Sequence, residues 1–282
     1  MSTTTITDAA PSMPTLAPLR SSRASAFGAL LLRDLTVLRK NLKEFIPRTV
    51  LQPLLLVFVF TYVFPKIGQG VGGSGAGAAQ FSSVLVAGVV ATAIIFQGIQ
   101  AVALPLVQEF GYTREIEDRV LAPLPVSVVA FEKIVAGALQ CLFAGLIVFP
   151  IAAIVPATPV HLDANWPVLL TLTPLACIMS GALGLMFGTL FDPRTVPMLF
   201  GVILIPITFL GCTYYSWQSL EPIRWLQIAV LVNPLVYLSE GFRAALTTVP
   251  HMSLIAVYLM ATAFTVLFTY VGIRGFTKRV IS

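Results

Sequence analysis

Six charged residues fall between Glu109 and Arg119, in the stretch QEFGYTREIEDRVLAPLPVS, although only 10% of the chain is charged. Glu109, Glu115, Glu117 and Asp118 stand there against Arg114 and Arg119, and Pro123 and Pro125 close the stretch rigidly. A loop that served only to orient membrane helices would be plainly basic. Mixed, slightly acidic charge of this kind sets register and partner choice at a protein–protein contact. The same residues would also serve as a short solvated helix whose charges pair along its own surface.

The remaining chemistry-bearing residues are sparse. Gly68, Gly70 and Gly73 form a G-x-G-x-x-G pattern, but phosphate binding needs a strand before it and a helix after it. Here the pattern follows an apolar run and reads as a flexible connector. No G-x-x-x-x-G-K-[ST] occurs, so the chain has no motif of its own for cradling ATP phosphates. Neither His-Glu-x-x-His nor G-x-S-x-G occurs, and no paired aspartates sit in the apolar runs, which counts against an intramembrane hydrolase. Cys141, Cys177 and Cys212 lie in apolar runs without metal-type spacing, and His161 and His251 are far apart. The thiols are expected as small buried apolar residues, and no metal, cofactor or catalytic residue is expected on this chain.

The elements that would position these residues are membrane helices. The chain has 282 residues, 57% of them hydrophobic, with mean hydropathy +0.92. A soluble domain is nearer 45–50% apolar and about 25% charged. The net charge of +5 fits a cytoplasmic excess of Lys and Arg. Nucleic-acid binding is not expected, because no basic stripe is interleaved with aromatics. A β-barrel would need short alternating segments, and none are seen.

The expected architecture is an all-α integral membrane protein with six transmembrane helices, an N-terminal amphipathic interfacial helix and a re-entrant segment before the last span. Residues 1–25 are rich in Ser, Thr, Pro and Ala and read as a disordered cytoplasmic tail without a cleaved leader. Over 26–47, Phe27, Leu31, Leu35, Leu38 and Leu42 recur on one helical face, with Arg33, Arg39, Lys40 and Lys43 on the other. That pattern fits a helix lying in the membrane surface, or a soluble helix packed on a partner. Asp34 falls close to its apolar side. A transmembrane domain is expected over 48–274, with spans near 49–65, 81–107, 134–155, 168–191, 195–212 and 252–273. A basic tail follows at 275–282. Ser180, Gly184 and Gly188 are spaced by four, so one face of the fourth span should admit another helix closely.

The run from Trp225 to Ser239, broken at Asn233 and Pro234, is too short to cross and makes 213–245 the re-entrant segment. With six spans and both termini cytoplasmic, every Lys and Arg except Lys66, Arg224 and Arg243 lies on the cytoplasmic side, as the positive-inside rule favours. A seventh span would worsen that split. Glu240 and Arg243 could then pair at i,i+3 near the outer surface and shape an exit, or serve structure alone. The span cores are nearly free of ionisable groups, which argues against a proton- or ion-coupled carrier and suits amphipathic or apolar cargo. Phe96, Gln97 and Gln100 on the second span, with Thr208, Phe209 and Tyr214 on and after the fifth, are candidates to line a path. Ordinary helix packing is the competing account of each.

Four stretches carry a resemblance to the membrane subunit of a type-2 ATP-binding-cassette (ABC) exporter, of the daunorubicin-resistance permease group. FIPRTVLQPLLLVFVFTYVF resembles the family's first span, with Gln-Pro near its start. REIEDRVLAPLPVS resembles its cytoplasmic coupling helix. FLGCTYYSWQSLEPIRWLQIAVLVNPLVYLSEGFRAAL resembles its closing signature, with Asn-Pro-Leu-x-Tyr and a later Glu and Arg. The amphipathic helix resembles its connecting helix. The likeness covers roughly Phe27 to Arg279. The Gly common in the family's coupling helix is absent from TREIEDRV.

The resemblance implies an export permease, not an enzyme, in the cytoplasmic membrane. A separate nucleotide-binding subunit would carry ATP and Mg²⁺, and a second permease, identical or different, would complete the pore. Over the coupling helix at 109–125, Glu109, Arg114, Glu115, Glu117, Asp118 and Arg119 would supply polar contacts to that subunit, with Leu121 and Leu124 filling an apolar groove. The cargo expected is drug-like or lipid-like. A polysaccharide or lipid-linked glycan is the alternative within the same fold, and a non-transporting membrane scaffold the alternative outside it.

Overall fold

A computed structural model describes residues 23–67, 76–113, 124–155, 163–192 and 195–281. Every regular element among them is helical: α1 (Arg23–Lys40), α2 (Leu42–Phe58), α3 (Ala76–Gln108), α4 (Val126–Ile154), α5 (Trp166–Leu190), α6 (Val196–Phe209), α7 (Arg224–Ala229), α8 (Pro234–Leu246) and α9 (Leu254–Ile281). A π-turn at Val59–Val63 carries α2 on to Lys66, and a second at Glu109–Thr113 ends α3. Helices satisfy their own backbone groups, which is what a bilayer demands of a spanning segment.

Among the described residues, five helices are long and apolar enough to cross a membrane: Leu42–Lys66, Ala79–Gly111, Val126–Ile151, Trp166–Leu190 and Leu254–Val280. The expected fifth span, 195–212, forms only the 14-residue α6. At 1.5 Å per residue that is about 21 Å, short of the ~30 Å hydrocarbon core. The expected interfacial helix ends at Lys40, the chain turns at Asn41, and Lys43 falls in the first turn of α2. Phe27, Leu31, Leu35 and Leu38 are half-buried while Arg33, Arg39 and Lys40 are exposed, because the apolar face of α1 lies on the bundle.

The second span forms the centre of the bundle. Its most apolar window is 83% buried, against 17% for the last span and 22% for the first. What allows such enclosure is the small-residue face of α5. A Cβ on Gly184 would lie 2.5 Å from the carbonyl oxygen of Gly98, and one on Gly98 would lie 2.4 Å from the Cβ of Ser180. Backbones that close can only be lined by hydrogen or a small side chain. The face expected from the spacing of Ser180, Gly184 and Gly188 is thus seated on α3.

The two ends of the bundle are closed differently. At the end carrying α1, Arg279 donates to the carbonyls of Gly188 and Phe191, at 3.1 and 2.6 Å. These are terminal carbonyls of α5, where a cation suits the helix dipole. At the other end α8 is enclosed: all thirteen of its residues are buried. Asn233 caps it by accepting from the Leu235 N–H at 3.0 Å, with Pro234 at the first helical position. The Asn-Pro pair therefore starts a helix, in the arrangement both residues favour. Backbone N–H groups of Asp163 and Asn165 satisfy the carbonyls of Leu246 and Ala245 at its other end.

Candidate functional site

Two polar constellations stand out against the apolar bundle. The first lies where α1 and the start of α2 cross the later half of α3 and the early turns of α4. Lys133 on α4 is 4% exposed, and its Nζ donates to Asp34 Oδ2 on α1 at 3.1 Å and to Glu109 Oε1 in the π-turn at 3.0 Å. Asp34, close to the apolar side of its helix, is thereby accounted for. It faces the bundle because an ammonium waits there. An ammonium shared by two carboxylates of low exposure ties three elements together in an environment where pairing is the alternative to a large desolvation cost.

Beside this triad the same elements enclose a cleft of about 580 Å³, lined among others by Arg33, Asn41, Arg48, Gln100, Leu104 and Gln140. On its α2–α3 seam, Arg48 Nε donates to Gln100 Oε1 at 2.7 Å and Thr49 Oγ1 to Gln97 Oε1 at 3.1 Å. Pro105 lines the same wall. It has no N–H to offer the carbonyl of Ala101 one turn before, so the helix there lacks one internal bond.

The second constellation is the enclosed pair Glu240 and Arg243 on α8, both 0% exposed. Arg243 Nη1 pairs with Glu240 Oε1. Glu240 also accepts from the backbone N–H of Trp217 at 2.7 Å and of Met252 at 2.8 Å. Arg243 Nη2 donates to the carbonyls of Cys212 at 2.9 Å and Tyr215 at 3.3 Å. Cys212 has φ 53°, a left-handed conformation uncommon for a non-glycine residue, and its carbonyl is held by that guanidinium. Two side chains thus fasten the chain before and after the irregular region onto α8. The expected i,i+3 pair forms, and it is enclosed within the fold because α3, α5 and α9 all pack on α8.

The other expected site residues fall as follows. Arg114, Glu115, Glu117, Asp118, Arg119 and Leu121 lie outside the described residues. Glu109 is buried in the triad, and Leu124 is also buried. Phe96 and Gln97 are buried and Gln100 half-buried on α3, beside Arg48 and Thr49. Thr208 is buried and bonds the Leu204 carbonyl at 2.8 Å within its own helix. Phe209 and Tyr214 gather with Phe60, each ring 5.7 Å from Tyr214. Among the described residues no hydrogen bond or ring contact joins this group to Phe96, Gln97 or Gln100. Arg48, Lys133 and Asp34 were missed as site residues. Their type alone was the available signal, since ionisable groups within or beside apolar runs are rarely idle.

Comparison with known proteins agrees with this architecture. The family described as ABC-2 type transporter matches residues 25–247. The inner membrane transport permease YadH of Escherichia coli strain K12 is 28% identical over 225 residues, covering 78% of this chain and 84% of that protein. The same figures hold for the proteins of that name from Escherichia coli O157:H7 and Shigella flexneri. A family match across α1 to α8, on a chain with five helices suited to crossing a membrane, leads to one assignment: the chain belongs to the ABC-2 type transporter family.

Proposed function

We propose that this chain is the permease subunit of an ABC exporter in the cytoplasmic membrane. It moves an amphipathic or apolar compound, drug-like or lipid-like, using ATP hydrolysed with Mg²⁺ on a separate nucleotide-binding chain. Family membership over residues 25–247 is the observation that carries this reading, and the similarity to a transport permease supports it. In this reading both termini are cytoplasmic, α6 completes the bundle as a short sixth span, and 213–245 folds back without crossing. A second permease, identical or different, supplies the other half of the pore.

The ATPase docks on the stretch between α3 and α4. Glu109 and Leu124 anchor that stretch to the bundle, and Arg114, Glu115, Glu117, Asp118, Arg119 and Leu121 meet the partner. The Asp34–Lys133–Glu109 cluster supports this division, because it fastens both ends of the connection to α1. A displacement of the connection would then reach α1, α3 and α4 together. The cargo reading is supported by the scarcity of ionisable side chains in the span cores.

The test is purification of the full chain from its native membrane in mild detergent, with the co-purifying proteins identified and counted. A Walker-motif ATPase at one copy per permease is the expected result. Its absence under conditions that preserve other membrane complexes would favour a scaffold and sink the exporter reading.

A further inference from the structure

We propose that the cleft beneath α1 is a binding site for the phosphate-bearing headgroup of a membrane phospholipid. Arg48 carries the argument. It lies in a helix suited to crossing the bilayer, six residues from the helix start, or about 9 Å along the axis. That depth is near the boundary between headgroups and acyl chains. An arginine near a helix end reaches toward the interface, and one held within a membrane segment usually pairs with a carboxylate or a backbone carbonyl. Here the side chain is held by a neutral amide, Gln100, through Nε alone. Glu44, one turn earlier on the same helix and also lining the cleft, makes no ion pair with it among the described residues. The charge is therefore fixed in position but not cancelled, and both Nη groups remain to donate.

The cleft also holds the carboxylates Asp34, Glu44 and Glu109, of which Asp34 and Glu109 are engaged by Lys133, and the amide beside Arg48 adds a donor to its own. Gln100 must offer its oxygen to Nε–H, because a guanidinium only donates, and this turns the Gln100 NH₂ toward other acceptors. A fork of two Nη donors beside an amide NH₂ matches the oxygens of a phosphate, and Arg recognises phosphate through two parallel bonds. Val37, Leu38, Phe45 and Leu104 supply apolar wall in the same cleft, suited to the first methylenes of an acyl chain. The volume of about 580 Å³ lies within the ~300–1,000 Å³ usual for small-molecule sites. The site rests on α2 being embedded in a membrane and not on coupling to an ATPase, so it stands if the exporter reading fails.

The test is native mass spectrometry of the delipidated full-length chain, with dioleoyl phosphatidylglycerol as the probe and dioleoylglycerol as its phosphate-free counterpart. The phospholipid should be retained about tenfold better than the diacylglycerol, as loss of one charge-assisted contact predicts. Arg48→Gln should remove that advantage, and Arg274→Gln, an exposed cation of α9 at the same end of the bundle, should not. Leu104→Trp fills the cleft without changing charge and should also lower retention, which keeps the test available if Arg48→Gln does not fold. Equal loss with Arg274→Gln would mean unspecific attraction to basic residues and would overturn the site. So would wild-type retention in Leu104→Trp or in folded Arg48→Gln. Displacement of the lipid by inorganic phosphate alone would assign the cleft to a soluble anion and overturn the lipid source.

Discussion

Lys133 on α4 and Asp34 on α1 meet at 3.1 Å across 99 residues of chain, and the same ammonium holds Glu109 at the end of the central helix. One cation thus fastens the surface helix to both helices that flank the charged connection. Lys133→Met would leave two carboxylates of low exposure facing each other. Breaking a buried pair from one side costs about 3–5 kcal/mol, so thermal unfolding in detergent should show a clear loss. Adding Glu109→Gln to Lys133→Met should recover part of it, because one of the two like charges brought together there is removed.

Glu240 accepts two backbone N–H groups and a guanidinium, a load that only a carboxylate carries without conflict. In Glu240→Gln an amide NH₂ would face a backbone donor, and Arg243 would lose its counter-charge. A loss of about 3 kcal/mol is expected. Limited proteolysis should cut the chain faster between residues 210 and 252, where the loops held by this pair lie.

Close approach of backbones makes Gly184 and Gly201 opposite cases. A Cβ on Gly184 meets the Gly98 carbonyl oxygen, whereas one on Gly201 meets nothing within 4 Å. Gly184→Ala should therefore destabilise the bundle by roughly 1–3 kcal/mol through overpacking. Gly201→Ala should be neutral, or stabilise by about 0.5–1 kcal/mol through helix propensity. Paired melting curves in one detergent decide this.

Asn233 does two things: its oxygen caps α8 and its Nδ2 donates to the Ile207 carbonyl at 2.7 Å. Asn233→Ala should cost about 1 kcal/mol for the cap alone, with more for the second bond. Asn233→Ser keeps a capping oxygen and loses the tie to α6. The difference between the two variants, read from denaturant unfolding, separates the contributions.

If Asp118 and Arg119 belong to the contact with an ATPase, reversing both charges should leave the spans folded and ATP hydrolysis present while transport falls. Normal transport by the double reversal, measured in reconstituted vesicles with the co-purified ATPase, would remove these residues from the coupling contact.

Much of this architecture is local and therefore legible in one chain. Apolar runs mark helices because a bilayer offers no other partner to backbone groups. The four-residue spacing of Ser180, Gly184 and Gly188 marks a close-packed face because it follows the helical turn. The ends of the runs were less legible. The fifth apolar run was expected to reach residue 212, but α6 ends at Phe209 and the chain turns back under the hold of Arg243. Nothing in the run's composition marks that bend, since it is imposed by carbonyl contacts with a helix more than thirty residues later.

The sequence by itself determined the membrane class, the positions of five long helices, the amphipathic pattern before them and the concentration of charge between the second and third. Each follows from composition or from periodicity within one helix. Tertiary structure decided which charges meet and where they are buried. Asp34, Lys133 and Glu109 share no local pattern, and Arg48 and Gln100 stand 52 residues apart. Their contacts depend on the rotation and height at which separate helices pack, set by small residues such as Gly98 and Ser180 elsewhere in the chain. The i,i+3 spacing of Glu240 and Arg243 was visible beforehand. Their complete enclosure was not, because it required three other helices to close around α8.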